Sequence, residues 1–341
     1  MTIRMAMLGY WHVHARDYEQ EALAQPDCSI VAIWDDDAAR GRAEAGRVGA
    51  PFVADLEGVL GDPAIDAVIV TAATAAHREL LLRAVAAGKH VFVEKVIAAN
   101  GAEAREIVDA ANRAGVHFAV CMQRIGTPWA RGIEQALRSG VIGRPLHTRI
   151  RVGHDGALPS PGQPGGWLPP HFWEPTEAQG GALLDLGAHP LYLTRLWLGM
   201  PESVSATLGC ATGHALEDQA AVTFQYHDGA IAVAEVSFVD RPGNYWIEAH
   251  GSDGSLHFDW ADGRVRVRKP GPTRRDPGEE IDLELPAERP SPFVTWVTRL
   301  RTGTLDPENA AIGVDLSRLA EAAYLSAGTG RRVRLAGIGG A

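Results

Sequence analysis

The chain has 341 residues, which is long enough for two domains with ample hydrophobic cores. Its composition, 46% hydrophobic and 22% charged, is typical of a globular protein. The formal net charge of -10 disfavours general binding to nucleic acids or anionic membranes, because either would require a basic face. We therefore expect neither as a partner.

The three cysteines, Cys28, Cys121 and Cys210, lie far apart and in no paired spacing, which indicates neither a disulfide framework nor a cysteine-based zinc site. The N-terminal residues run into an apolar strand without a cleavable signal pattern. No apolar run approaches the roughly 20 residues that a membrane span requires. These features predict a cytoplasmic location.

The first 124 residues alternate short apolar runs with amphipathic segments, beginning with a strand at Ile3–Leu8 and a helix at Ala15–Ala24. Strands and helices that take turns in this way predict a doubly wound parallel α/β sheet, which we assign to residues 1–124. The other predicted strands are Ser29–Trp34, Ala67–Thr71, His90–Val93 and Val116–Cys121, and the other predicted helices are Ala38–Val48, His77–Ala87 and Ala102–Ala114.

Longer alternating strands follow a helix predicted at Arg131–Ser139, with hairpin-type breaks such as His227-Asp228-Gly229 between them. This pattern predicts an α+β domain with a largely antiparallel open sheet over residues 125–341. Its predicted strands are Leu146–Val152, Ser203–Leu208, Gln219–Tyr226, Ala230–Phe238, Tyr245–His250 and Arg332–Leu335, and two further helices are predicted at Pro292–Leu300 and Val314–Ser326.

A long segment rich in proline, glycine and aromatic residues spans positions 153–181. Irregular segments of this length are usually functional loops or disordered ones, and large aromatics such as Trp167 and Trp173 favour an ordered loop over a site. Aromatics that simply hold the loop against the core are an equally good interpretation.

The turn after the first strand, Gly9-Tyr-Trp-His-Val-His14, occupies the place where a dinucleotide-binding unit carries Gly-x-Gly-x-x-Gly. Only the first glycine is present, since Trp11 and His14 stand at the second and third positions. Asp35 ends the second strand close to where an acidic residue would bind the adenosine ribose, which favours NAD over NADP. A solvated turn with a helix cap is the alternative for the run Asp35-Asp36-Asp37.

Glu94-Lys95 follows the apolar strand His90–Val93. Open α/β sheets hold their ligands at the carboxyl ends of their strands, so Lys95 is a candidate for chemistry rather than for solubility. An ordinary surface lysine after a strand is the alternative.

A helix is predicted to begin near His189 and to continue to Leu198. Because Pro190 is tolerated only in a first helical turn, Asp185 lies at or just before the start of this helix and His189 lies in its first turn. A carboxylate and an imidazole in one turn form a workable acid/base pair near neutral pH. A helix cap and a packed histidine explain the same residues.

His12 and His14 have a spacing that suits two metal ligands on a strand or loop. The neighbouring sequence offers no convincing third ligand. We therefore predict no metal.

Together these residues strongly resemble the glucose-fructose oxidoreductase / inositol dehydrogenase (Gfo/Idh/MocA) family of NAD(P)-dependent sugar and polyol dehydrogenases. The resemblance covers nearly the whole chain. It implies a Rossmann-type first domain, a homodimer or homotetramer built through the second-domain sheet, and a bound nicotinamide cofactor, for which Asp35 favours NAD over NADP. The segments that carry the resemblance are Asp66–His77, Ala87–Lys95, Gly140–Pro145, Gly181–His189 and Ala323–Val333.

In this family the corresponding lysine, aspartate and histidine surround the reacting carbon beside the nicotinamide, which makes Lys95, Asp185 and His189 the predicted catalytic residues. The predicted cofactor-binding residues are Gly9, Trp11, His12, Val13, Asp35, Ala72, Ala73, His77, Glu94 and Lys95. The predicted substrate-binding residues are Lys95, Gln123, Trp173, Asp185 and His189.

Four features depart from the family pattern: Val96 replaces the proline after Glu-Lys, Ala72-Ala73 replaces a Thr-Pro turn, Tyr192 replaces a frequent acidic residue, and the glycine-rich turn is rebuilt. The predicted function is hydride transfer between NAD and a secondary alcohol of a sugar, cyclitol or related polyol. Two alternatives stay open. One is a non-catalytic binding or regulatory protein, and the other is a redox-neutral epimerase, lyase or glycosidase with tightly bound NAD.

Overall fold

The computed structural model describes residues 2–273 and 275–338. The chain divides into two compact units. The first contains the residues up to Cys121 together with Pro290–Val314, and the second contains Met122–Arg289 and the residues from Asp315 onward. The sequence predicts a single boundary near residue 124, whereas in the structure the segment Pro290–Val314 returns to the first unit.

The first unit is built on a five-stranded parallel sheet in the order β2-β1-β3-β4-β5, which confirms the predicted doubly wound sheet. The strands are β1 (Ile3–Leu8), β2 (Cys28–Trp34), β3 (Ala67–Val70), β4 (His90–Val93) and β5 (Phe118–Val120). The helices are α1 (Ala15–Leu23), α2 (Ala38–Val48), α3 (Leu56–Leu60), α4 (Thr74–Ala86) and α5 (Gly101–Ala114). The carboxyl ends of β1 to β4 place Gly9, Asp35, Thr71 and Glu94 at one edge of this sheet.

The second unit carries a nine-stranded sheet in the order β13-β12-β11-β10-β6-β9-β8-β7-β14, and among its described strands only β6 and β9 pair in parallel. Its strands are β6 (Pro145–Gly153), β7 (Ser203–Gly209), β8 (Gln219–Gln225), β9 (Ile231–Ser237), β10 (Asn244–Gly251), β11 (Ser255–Asp259), β12 (Arg264–Lys269), β13 (Glu279–Asp282) and β14 (Val333–Arg334). The remaining helices are α6 (Pro128–Arg138), α7 (Pro175–Ala178), α8 (Ala188–Leu198), α9 (Pro292–Thr302) and α10 (Pro307–Thr329).

Aromatic packing explains why α9 belongs to the first unit. Phe293 and Trp296 on α9 lie with ring centroids 5.3 and 5.5 Å from that of Phe92 on β4. All three side chains are buried, so the apolar face of α9 covers one face of the parallel sheet. Each aromatic ring buries a large apolar area, and the free energy gained by that burial holds α9 against the first unit although it is far from β4 along the chain.

The sheet of the second unit has one covered face and one more open face. On β6, Ile150 and Val152 are buried, whereas Arg149 and Arg151, which alternate with them along the strand, are half-exposed. This alternation is the period of a strand with a single buried face. Helix α8 packs against β6 and β9, and Trp129 of α6 stacks on Phe258 of β11 with ring centroids 4.8 Å apart.

In the described ranges no helix is both long enough and apolar enough to cross a bilayer.

Candidate active site

The turn after β1 is fastened to the turn after β3. Gly9 has φ +90°, and a Cβ at this position would lie 2.7 Å from the Cα of Ala72. The Thr71 hydroxyl donates to the Gly9 carbonyl at 2.6 Å, and the His12 N–H donates to the Thr71 carbonyl at 3.0 Å. Only glycine fits this close approach, which explains why the first glycine of the turn is kept.

The second and third glycine positions are filled by side chains. Trp11 is buried, Val13 is 40% exposed, and His14 is the residue just before the first turn of α1. The imidazoles of His12 and His14 point towards β4, where the His12 Nε2 and the His14 Nδ1 each lie 3.8 Å from the Oε1 atom of Glu94. The rebuilt turn therefore brings two histidines to a strand-end carboxylate.

Asp35 is a buried carboxylate at the end of β2. It accepts the N–H of Tyr10 at 2.8 Å and two hydrogen bonds from the Arg40 guanidinium at 2.9 and 2.6 Å. The helix cap proposed as an alternative is instead Asp37, whose side chain accepts the N–H groups of Ala39 and Arg40. Asp35 also accepts the N–H of Asp37 at 2.9 Å, so the structure places it at the sheet edge with Arg40 as its charge partner.

Glu94 lies at the centre of a buried charged cluster and is 2% exposed. The Tyr18 hydroxyl donates to its Oε2 atom, and the Lys95 Nζ lies 3.6 Å from its Oε1 atom. Burial alone would raise the pKa of the Glu94 carboxyl, but interactions with His12, His14 and Lys95 outweigh burial and hold that pKa well below its usual range. Glu94 is therefore ionised and compensates the buried charge of Lys95.

His77 connects two of the predicted cofactor-binding segments. Its Nδ1 lies 2.8 Å from the Val96 carbonyl and its Nε2 lies 3.2 Å from the Ala72 carbonyl. Burial lowers the pKa of this fully enclosed imidazole, which favours the neutral form. The peptide bond between Lys95 and Val96, the position where the family pattern has proline, is cis. Ala73, also predicted to bind the cofactor, is buried and precedes the first residue of α4.

In the second unit, Asp185 lies in the turn before α8 and His189 lies in the first turn of that helix, next to Pro190. The His189 Nδ1 lies 2.8 Å from the Tyr192 hydroxyl oxygen, which also accepts the backbone N–H of Arg124 at 3.1 Å. His189 is almost fully buried, and the contact with Tyr192 fixes the position of its ring.

Glu217, which no sequence motif marks, holds the Asp185 segment in place. The buried Glu217 carboxylate accepts the N–H groups of Gly181 at 2.9 Å and Leu183 at 3.1 Å, and the Tyr324 hydroxyl donates to it at 2.7 Å. A Cβ on Gly181 would lie 2.0 Å from the Glu217 carbonyl oxygen. No local pattern marks Glu217, because its role depends on contacts between distant parts of the chain.

The aromatic loop at residues 153–181 is held by ring stacking. Trp173, in a 3₁₀ turn at Pro170–Trp173, stacks on His214 with ring centroids 3.8 Å apart. Trp167 packs against His154 and stays 41% exposed. Gln123 is half-buried at the start of another 3₁₀ turn, Gln123–Gly126. Trp173 thus holds the loop by stacking, while Trp167 stays partly exposed.

Known proteins resemble both halves of this chain. A family model described as "Oxidoreductase family, NAD-binding Rossmann fold" matches residues 3–122, and one described as "GFO/IDH/MocA C-terminal domain" matches residues 130–257. The chain is 31% identical over 250 residues to 1,5-anhydro-D-fructose reductase of Ensifer adhaerens, covering 71% of this chain and 72% of that protein. The chain belongs to the Gfo/Idh/MocA family of oxidoreductases.

Two further members or neighbours of the Gfo/Idh/MocA family cover more of the chain. D-apiose dehydrogenase of Paraburkholderia graminis is 28% identical over 340 residues, covering 95% of this chain and 86% of that protein. The crystal structure of GenD2 from gentamicin A biosynthesis, in complex with NAD, has a TM-score of 0.80 and 25% identity over 98% of this chain and 96% of that one. The resemblance and the NAD-binding fold predicted from the sequence are therefore confirmed.

The described residues fit the NAD of this family. Gly9 keeps the backbone of its turn close to Ala72, and Asp35 presents a carboxylate at the end of β2. The protein is thus an enzyme of the Gfo/Idh/MocA family that binds NAD. Within the first unit the structure brings together Gly9, Asp35, Ala72 and Glu94 at one sheet edge, and within the second unit it places Asp185 and His189 at the start of α8.

Proposed function

We propose that this enzyme oxidises a secondary hydroxyl of a sugar, cyclitol or related polyol with NAD, or catalyses the reverse reduction. The observation that carries the proposal is the buried Lys95 beside the ionised Glu94 at the end of β4. An ammonium group at that place in an NAD-binding sheet suits an oxygen that gains negative charge. The names of relatives, a sugar reductase and a sugar dehydrogenase, agree with a carbohydrate substrate.

Three side chains perform the proposed chemistry. His189 accepts the proton of the substrate hydroxyl, and its contact with Tyr192 keeps the imidazole in place. Lys95 donates a hydrogen bond to the same oxygen and stabilises the charge that develops there. Asp185 orients these groups and binds a second substrate hydroxyl. NAD, when bound, supplies the hydride acceptor.

A panel of sugars, cyclitols and polyols assayed with NAD and with NADP tests the proposed function. We expect at least one carbohydrate alcohol to reduce NAD, measured as an increase in nicotinamide absorbance. A protein that copurifies with NAD and converts a sugar without net absorbance change would be a redox-neutral enzyme, which would contradict the proposal. Failure of every compound to reduce or oxidise the cofactor would contradict it as well.

We propose that Asp35 makes NAD the preferred cofactor. We expect Asp35→Ser to weaken NADH binding by about 10- to 100-fold, since hydrogen bonds to a charged acceptor contribute about 1.5–3 kcal/mol. Binding of NADPH should improve relative to NADH, because the carboxylate that repels a 2′-phosphate is lost and Arg40 is released from its bidentate bond. Titration of cofactor fluorescence measures both affinities.

Asp37→Ser is the matched control for this change. It alters a neighbouring aspartate and leaves a good N-cap residue on α2. We expect its NADH and NADPH affinities to match those of the native enzyme. Equal cofactor preference in Asp35→Ser and in the native enzyme would show that Asp35 does not set the choice of cofactor.

We also propose a cytoplasmic homodimer or homotetramer that forms through the open face of the nine-stranded sheet. Arg149 pairs with Glu235 and Arg151 with Asp240 on that face, each at 2.7 Å. An ordered array of half-buried ion pairs on a broad sheet suits a self-complementary symmetric interface. The described cysteines, all free thiols, are consistent with a reducing compartment.

A further inference from the structure

Three potential metal ligands converge beside β1 and β4. One ligand atom each from His12, His14 and Glu94 lie within 4.8 Å of one another. The sequence shows the two histidines but no third ligand near them, and the parallel sheet supplies it by placing Glu94 next to the rebuilt turn. The glycines normally found in such a turn would provide none of these imidazoles.

We propose that His12, His14 and Glu94 bind a divalent transition-metal cation of the zinc type. Two imidazoles and one carboxylate are a common ligand set for zinc with a fourth position open to water or an anion. Magnesium and calcium prefer all-oxygen ligands, so neither suits this set. The acid/base chemistry proposed above requires no metal, and the metal site adjoins it through Glu94, which also contacts Lys95.

The distances in the cluster suit a site that contracts on binding. The Glu94 Oε1 lies 3.8 Å from the His12 Nε2 and 3.8 Å from the His14 Nδ1. Tetrahedral ligands about 2.0–2.1 Å from zinc stand about 3.4 Å apart, so modest side-chain rotations close the shell. The imidazole of His14 is 30% exposed, whereas His12 and Glu94 are buried, so a cation enters from the His14 side.

Tyr18 supplies the outer contact that a ligating carboxylate requires. Its buried hydroxyl donates to the Oε2 atom of Glu94, which leaves the Oε1 atom facing the two histidines. Hydrogen bonds of this kind orient metal ligands, and losing one typically costs about 10- to 100-fold in metal affinity. Tyr18 is therefore a positioning residue for the site.

Two existing contacts compete with binding of the cation and lower the affinity of the site for it. The Lys95 Nζ lies 3.6 Å from the same Oε1 atom, so an ammonium and a metal ion share one carboxylate. The His14 N–H donates to the His12 Nδ1 at 3.2 Å, and this long bond is lost when the Nε2 becomes a ligand, since the ring proton then sits on Nδ1. Removing the Lys95 charge should therefore strengthen metal binding.

The test is a titration of chelator-treated, tag-free protein with zinc and with cobalt, in a Cys210→Ser background because Cys210 is an exposed thiol. We expect one cation per chain and a visible cobalt spectrum of the four-coordinate type. His14→Ala and Glu94→Gln should weaken zinc binding by about a hundredfold or more, since each removes a ligand. Tyr18→Phe should weaken it by about tenfold. Lys95→Met should strengthen it by at least about tenfold, because like charges repel strongly at this range.

His117→Ala is the matched control, because it removes a histidine that contacts His90 edge-to-face in the same unit and lies outside the cluster. It should bind zinc like the native chain. Native affinity in both His14→Ala and Glu94→Gln, loss of binding in His117→Ala, or no gain in Lys95→Met would overturn the proposal. If a variant fails to fold, a six-coordinate cobalt spectrum of the native chain would still overturn it. None of these readouts depends on turnover, so they stand apart from the proposed dehydrogenase activity.

Discussion

Lys95→Met is expected to reduce kcat by about a hundredfold or more while the chain still folds. Methionine keeps an apolar stem of similar length but removes the ammonium that would stabilise negative charge on the substrate oxygen, and loss of one such donor costs about 10²–10³ in rate. In this variant Glu94 still contacts His12 and His14, so its buried negative charge keeps neighbours that compensate it. Steady-state kinetics on the best substrate of the panel measure the loss, and NADH titration checks that the cofactor still binds.

Lys89→Met is the control for this variant. Lys89 is also a buried lysine of the first unit, and it donates to the carbonyls of Asp62 at 2.6 Å and Ile65 at 2.8 Å, just before β4 begins. Its replacement leaves two carbonyls without this donor and should lower stability, but turnover per folded molecule should stay native. Native kcat in Lys95→Met would remove Lys95 from the reaction, whatever happens to Lys89→Met.

The position of Glu94-Lys95 was predictable because it follows from strand order rather than from side-chain contacts. His90–Val93 reads as a short apolar strand, and the alternation of strands and helices before it requires a parallel sheet. A parallel sheet collects its strand ends at one edge, and the structure confirms that sheet. The partners of Glu94 were not predictable, since Tyr18 lies on α1 and bonds to it across 76 positions.

The turn at Gly9–His14 also shows that side-chain contacts between distant segments cannot be predicted from the sequence. The sequence shows plainly that Trp11 and His14 replace two glycines, and it shows that Gly9 is kept. It does not show where the new side chains point, because that depends on β4, which approaches the turn only in the folded sheet. The cluster of His12, His14 and Glu94 is therefore a result of tertiary structure, whereas the missing glycines are a result of sequence alone.

Some features of the fold were not predicted from the sequence, and each omission has a physical reason. α3 is a helix of 5 residues, which is too short for a helical period to stand out. β12 carries arginines on alternate positions with Val265 and Val267 buried between them, and so many charges disguise a strand. α9 was predicted as a helix, but its return to the first unit rests on the contact of Phe293 and Trp296 with Phe92, which no local pattern shows.

His189→Asn is expected to lower kcat by about 10²–10⁴, the range that a positioned general base contributes. Asparagine places an amide near the former Nδ1 and can keep the contact with the Tyr192 hydroxyl, but it has no group that accepts the substrate proton. The native rate of alcohol oxidation should fall on acidification, because a protonated imidazole cannot act as a base. The variant should lose this fall, and pH–rate profiles of both proteins measure it.

Tyr192→Phe separates the base from the group that holds it. Phenylalanine fills the same buried space on α8 but removes the oxygen that contacts the His189 Nδ1 and accepts the Arg124 N–H. The imidazole itself remains, so kcat should fall by only about tenfold and the acidic fall in rate should persist, since a misplaced base still titrates. An equal loss in both variants, with the acidic fall absent from both, would assign the base role to the pair and not to His189. A native profile in His189→Asn would mean that another group takes the proton.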